Sequence, residues 1–195
     1  MAGNPEEELD VFTEEQREFL KHRINVGVRG KDDERVFVPR GRMVKQNIDK
    51  IIGLEPSVHM QKLSKKKLKG FDVNFELITE RAEEIPLESN SIDSVVCTYT
   101  LCSISNPEMA LSEIRRVLKK DGKFIFTEHA ASPDLKINKF QKKIEPLWKV
   151  IADGCHLTRD IKTMLAENGF SINNSEDMYL PGTPKFIGYH LSLIQ

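Results

Sequence analysis

The stretch Ile92–Glu128, "IDSVVCTYTLCSISNPEMALSEIRRVLKKDGKFIFTE", decides the fold. Ile92–Cys97 is a short apolar run of the kind a buried strand needs. Asn106 then offers a side-chain cap, and Pro107 suits the first helical position. Met109, Leu111, Ile114, Val117 and Leu118 recur at helical spacing, which predicts a helix over Pro107–Lys119 with those residues inward. Asp121-Gly122 reads as a tight turn into a second strand, Lys123–Glu128. Two strands joined through a helix make a right-handed crossover with the strands parallel.

The same rhythm extends both ways. Upstream, Asp49–Leu54 reads as a strand, and Ser57–Lys67 as a helix capped by Ser57 with Val58, Met60, Leu63 and Leu68 inward. Val73–Ile78 alternates like a strand, and Glu83–Leu87 turns around Pro86. Downstream, helices are expected over Ile137–Asp153 and Thr158–Asn168, the second ended by Gly169. Strands near Ile172–Tyr179 and Lys185–Leu193 follow, joined through Pro181-Gly182-Thr183-Pro184. The expected fold is α/β: a doubly wound, mostly parallel Rossmann-like sheet with an antiparallel C-terminal hairpin strand. One domain over 1–195 is expected, with 1–47 atypical and 48–195 regular.

Composition narrows the function. Of 195 residues, 39% are hydrophobic and 30% charged, with net charge −1, so nothing global draws the chain to nucleic acid or an anionic membrane. No apolar run is long enough to span a bilayer, and the acidic start lacks a signal-peptide core. Lys65, Lys66, Lys67 and Lys69 read as a solvated helix face. Three cysteines, Cys97, Cys102 and Cys155, argue against a disulfide framework, and the histidines do not join them at zinc-ligand spacing. Reduced thiols in a cytoplasmic setting, and no metal, are the expectation.

A few residues carry chemistry. Glu55 ends a parallel strand, where a carboxylate can hold a ribose diol; the other reading is an acid serving the helix capped by Ser57. Ala82 and Glu83 lie in a loop at the carboxyl edge, where an adenine could lie flat; a plain surface loop is the alternative. Thr98 and Tyr99 stand at the sheet's lip, flanked by Cys97 and Cys102, which read as small buried hydrophobes. His129 emerges at the same edge and is the candidate base. Cys155, His156 and Arg159 share that space or serve structure.

"IDKIIGLEPSVHM", "RAEEIPLESNSIDSVVCTYTLCSISNPEMALSEIRRVLKKDGKFIFTEHAA" and "LWKVIADGCHLTRD" together resemble the class I S-adenosylmethionine-dependent methyltransferases. The nearest likeness is to the methyltransferase-like branch with thiol S-methyltransferase members, over Asn47 to Leu193. The resemblance implies S-adenosylmethionine as cofactor and methyl transfer to a small-molecule acceptor, such as a thiol, by direct in-line displacement. It implies that Glu55 holds the ribose hydroxyls, Ser57 and Met60 line the adenosine, and Ala82 and Glu83 border the adenine. Thr98 and Tyr99 would lie by the methionine portion, and Asp153 and Cys155, with His129, around the acceptor pocket. Arg81 stands where many relatives carry an acid. Oligomeric state is left open.

One part of the family's pattern is missing. Relatives begin with a strand, an acid and a G-x-G-x-G turn, whose glycines let backbone approach the cofactor. Here Val36–Val38 is followed by "PRGRMVKQN", too short for a full crossover helix. An alternative takes Ile24, Val26 and Val28 as the first strand, after a helix over 13–23. A gene-level change is a third reading of the same gap. The functional alternative is a methyltransferase-fold pseudoenzyme or defective family member that binds cofactor weakly or not at all.

Overall fold

The computed structural model describes residues 50–67, 74–172, 175–180 and 182–194. The readings of residues 13–47, of Leu68 and of Lys69 lie outside them. Among the described residues, six strands and five helices follow in the order β1 (Lys50–Leu54), α1 (Val58–Lys67), β2 (Asn74–Ile78), β3 (Ile92–Thr98), α2 (Pro107–Val117), β4 (Leu118–His129), α3 (Leu135–Ile151), α4 (Ile161–Glu167), β5 (Ser175–Tyr179), α5 (Lys185–Gly188) and β6 (Tyr189–Ile194). Among the described residues, β1 and β2 pair in parallel as one sheet, and a second sheet runs β3-β4-β6-β5. There β3 and β4 are parallel, while β6 pairs antiparallel with both β4 and β5.

The expected crossover forms as its sequence dictates. The Asn106 side chain accepts from the Met109 N–H at 3.1 Å, Pro107 opens α2, and the Leu118 N–H closes it on the Ile114 carbonyl. Ala110, Leu111, Ile114 and Val117 enter the core, where they meet Phe124 and Phe126 of β4 and Ile161, Leu165 and Phe170 around α4. Leu54, Ala82 and Leu87 pack against the same cluster, so the β1-β2 sheet shares that core.

Several expectations give way to tertiary packing. Met109 is 52% exposed, because Ala110, one position on, takes the inward place. On α1, Val58 and Leu63 are exposed and Gln61 is buried instead. Its amide nitrogen donates to the Glu55 carbonyl at 2.9 Å and the Thr79 hydroxyl at 2.7 Å, tying α1 to the ends of both strands. Asp121-Gly122 is not a turn. It lies inside β4, where the pairing jumps from Ile92↔Leu118 to Ser94↔Lys123 and the extra β4 residues bulge outward. Lys119 therefore belongs to a strand, not to α2. Helix α3 starts earlier than expected, because Asp134 caps it through the Lys136 and Ile137 N–H groups, and it stops at Ile151 before Asp153 takes φ 49°. Helix α4 starts later, capped by Asp160, because the Thr158 hydroxyl and N–H are taken by Glu145. Residues 185–188 coil into the short α5 before β6 begins. Gly169 takes φ 77° just past α4, as expected of a helix-ending glycine.

Leu111→Ala, at a fully buried site, is expected to cost about 2–5 kcal/mol of unfolding free energy in urea titration. Asn106→Ala is expected to cost only about 1 kcal/mol, the usual worth of one cap.

Candidate active site

The carboxyl ends of β1 and β3 open onto a cavity of about 320 Å3. Glu55, Ser57, Ala82 and Glu83 line it, as do Thr100 and Ser103 beyond β3. Leu54, Ile85, Val95, Ile104 and Ile114 supply apolar wall. Glu55 is nearly buried; one of its carboxylate oxygens accepts the Ser57 N–H at 2.8 Å, so the acid lines the cavity and serves the helix end together. The Ser57 hydroxyl caps α1 by accepting the Met60 N–H at 3.3 Å.

The loop carrying Ala82 is fastened from α2. Arg116 donates to the Ile85 and Leu87 carbonyls, each at 2.8 Å, while Glu113 accepts the Ile85 N–H at 2.9 Å. Glu113 and Arg116 also pair with each other, which holds the Glu113 carboxyl below its ordinary range. Glu83 accepts the Asn106 N–H at 3.2 Å, joining the loop to the cap of α2.

The segment after β3 forms the other wall, and Glu128 holds it. This fully buried carboxylate accepts the N–H groups of Thr100 at 2.7 Å, Leu101 at 2.9 Å and Cys102 at 3.0 Å. Burial pushes its pKa upward, and the three donors oppose that shift. Arg159 grips the same segment from the opposite side, donating to the Leu101 and Ile104 carbonyls, the latter at 2.8 Å. The His156 backbone N–H adds a bond to the Cys102 carbonyl at 2.8 Å. Tyr99 enters the loop at φ 49°, an unusual conformation for a side chain of its size that costs of the order of 1–3 kcal/mol. Its ring rests against His129 and His190, at centroid distances of 4.7 and 5.2 Å.

Behind this wall lies a second group. Cys155 Sγ sits 3.5 Å from Cys102 Sγ and 3.5 Å from His129 Nδ1, and Cys102 Sγ is 3.8 Å from that same nitrogen. The contact between the sulfurs, helped by His129, lowers the Cys155 thiol pKa; the same contact, helped by burial, raises that of Cys102. The His190 ring packs at a tilt against His129, with centroids 4.7 Å apart, and donates Nδ1–H to the Gly188 carbonyl. Burial, then the neighbouring His129, pushes His190 down to about 4.

A profile described as a methyltransferase domain matches residues 40–126. The thiol S-methyltransferase TMT1B of Homo sapiens is 35% identical over 144 residues, covering 69% of this chain and 59% of that protein. Human thiol S-methyltransferase TMT1A is 37% identical over 102 residues, covering 52% of this chain and 42% of its own length. The chain thus spans less than two thirds of these curated relatives. A SAM-dependent methyltransferase structure from Methanosarcina mazei superposes with a TM-score of 0.60 at 15% identity, over 74% of this chain and 80% of that one. This chain is similar to the class I S-adenosylmethionine-dependent methyltransferases, and thiol S-methyltransferases are among the proteins it matches.

The family's cofactor is S-adenosylmethionine, and the cavity has features that fit its adenosine half. A near-buried carboxylate stands at a strand end beside a largely apolar chamber. Of the residues expected to meet cofactor, Glu55, Ser57, Ala82 and Glu83 line the cavity. Met60 contributes its N–H to the Ser57 cap. Tyr99 turns to the histidine pair, and Thr98 closes β3 in register with Thr127. Thr100, Ser103 and Glu80 line the cavity without having been singled out in sequence; nothing but position after a strand marks them. Arg81 lies at the cavity between two acids, Glu80 and Glu83. Of the acceptor-side residues, Cys155 and His129 meet, while Asp153 forms the bend after α3 with φ 49°. His156 leaves that group to bond Glu145 at 3.2 Å. Cys102 is buried as expected, but it faces a histidine and a second thiol that its sequence neighbours do not reveal.

Glu128→Ala strands three N–H groups and is expected to cost about 3 kcal/mol or more in urea unfolding. Glu128→Gln keeps an acceptor oxygen and should lose distinctly less.

Proposed function

We propose that this chain transfers the methyl group of S-adenosylmethionine to a small-molecule thiol by direct in-line displacement at sulfur. The observation that carries the reading is the placement of Glu55, at a strand end, on the wall of a single cavity with the Ala82 loop and the post-β3 segment. The relatives of 35% and 37% identity are thiol S-methyltransferases, which supports the acceptor class.

Glu55, with one oxygen taken by the Ser57 N–H, offers its carboxylate to the ribose hydroxyls. Ser57 and Met60 would shape the adenosine side, and Ala82 and Glu83 the adenine side. Thr98 and Tyr99 would border the methionine side, joined by Thr100 and Ser103. The cofactor supplies an electrophilic methyl on a sulfonium, so the protein's main task is alignment and exclusion of water, which is worth several kcal/mol of barrier. Asp153, Cys155 and His129 would surround the acceptor. His129 would favour ionisation of the acceptor thiol, the form that attacks. The whole of 1–195 would act as one domain. A reducing compartment such as the cytoplasm suits its three free thiols.

Calorimetric titration of the folded full chain with S-adenosylhomocysteine tests this. Micromolar affinity is expected. Glu55→Gln keeps an oxygen for the Ser57 N–H but loses the charge, and should weaken binding about 10–100-fold, the worth of a charge-assisted bond. No binding by a folded chain would sink the enzyme reading and return the pseudoenzyme alternative. Transfer of labelled methyl to a panel of small thiols, with alcohols and amines as controls, then tests the acceptor class.

A further inference from the structure

We propose that Cys102, Cys155 and His129 form a zinc-binding site behind the post-β3 wall. The three side chains arrive from three separate segments: Cys102 from the loop after β3, His129 from the last residue of β4, and Cys155 from the bend between α3 and α4. Their ligand atoms all lie within 4.8 Å of one another. Both cysteines are buried, and neither is in a disulfide.

The shape of the triangle is the argument. A tetrahedral Zn2+ holds sulfur at about 2.3 Å and nitrogen at about 2.0–2.1 Å, which sets its sulfurs roughly 3.8 Å apart and each sulfur roughly 3.6 Å from the nitrogen. Here the sulfurs are 3.5 Å apart, and the sulfur–nitrogen distances are 3.5 and 3.8 Å. The side chains therefore already outline one face of a tetrahedron, and small shifts complete it. A disulfide needs the sulfurs at about 2.05 Å, a far larger movement.

The surroundings fit a soft divalent cation. The Cys102 backbone is fixed at both its N–H, by Glu128, and its carbonyl, by His156. The His129 ring is held between Tyr99 and His190, so Nδ1 is aimed at the sulfurs. The buried indole N–H of Trp148 has no hydrogen-bond partner among the described residues. Such outer groups orient ligands in metal–thiolate sites. Charge also balances within the site: Zn2+ brings two positive charges and the two thiolates two negative. Binding releases the two thiol protons to solvent, and no electron moves. Three protein ligands leave a fourth tetrahedral position for a water or an added thiol.

The site rests on its own geometry and not on the methyl-transfer reading. The test is metal analysis of the full chain, purified under a phosphine reductant and loaded with zinc, then with Co2+ as an optical probe. About one zinc per chain is expected, with a sulfur-to-cobalt charge-transfer band and the intense d–d absorption of a tetrahedral site. Cys102→Ser, Cys155→Ser and His129→Ala should each weaken zinc binding at least tenfold. Cys97→Ser should not, since that sulfur is directed at Glu128. A folded, reduced wild-type chain that takes up no zinc and gives no cobalt band overturns the proposal, whatever the variants do. So does uptake that survives Cys102→Ser or Cys155→Ser unchanged. Binding of S-adenosylhomocysteine with no zinc uptake would defeat the metal site alone and leave the cofactor reading standing.

Discussion

A buried carboxylate binding three successive backbone N–H groups holds this site together. Glu128 lies next to the last residue of β4 with no exposure to solvent, and Thr100, Leu101 and Cys102 all point their N–H groups at it. An isolated charge in that position would be strongly unfavourable, because burial removes its hydration. Three directed donors replace that hydration, and they do so only if the loop after β3 takes one conformation. The chain thereby converts the cost of burial into a constraint on shape. Everything that follows in the site is placed by that loop: the Thr100 and Ser103 wall on one side, the Cys102 sulfur on the other.

Arg159 completes the constraint with opposite chemistry. Glu128 takes the loop's donors, and Arg159 takes its acceptors, the carbonyls of Leu101 and Ile104. Two ions of opposite sign thus saturate one short turn of backbone without meeting each other through a simple ion pair. This explains why the segment Asp153–Arg159 is drawn against the sheet edge. Once Arg159 is anchored, Cys155 is carried to within 3.5 Å of Cys102, and the left-handed bend at Asp153 and Gly154 is the turn that lets the chain arrive there. The strained Tyr99 is part of the same arrangement, its ring packed on the histidine pair that the β4 and β6 ends bring together.

The architecture was legible in sequence because it is written in local signals. Asn106 with Pro107, the Leu111–Ile114–Val117 stripe and the β3 apolar run each specify an element without help from afar. Failures came where a distant group outbid a local one. Thr158 looks like a cap, but Glu145 claims it, so Asp160 starts α4. Asp121-Gly122 looks like a turn, but β3 pairing extends across it as a bulge. The site shows the same division. Glu55, Ser57 and Ala82 could be placed because a strand end followed by a helix cap has a fixed meaning. The Glu128 nest, the Glu113–Arg116 clasp on the Ala82 loop and the Cys102–His129–Cys155 triangle join residues 26 to 53 positions apart, and no local pattern encodes them.

The two halves of the site also divide the work by physical environment. The cavity side carries acids near water, suited to hydroxyl and amine groups that must be bound and released. The thiol side is enclosed, with Cys102 and Cys155 buried and His129 wedged between aromatic rings, so electrostatic interactions there are less screened. A thiolate is stabilised by nearby cationic or metal centres and loses nucleophilicity when fully hydrated, whereas a sulfonium donor needs little beyond orientation. One loop, held from both faces by Glu128 and Arg159, separates the two environments by the thickness of a single backbone segment.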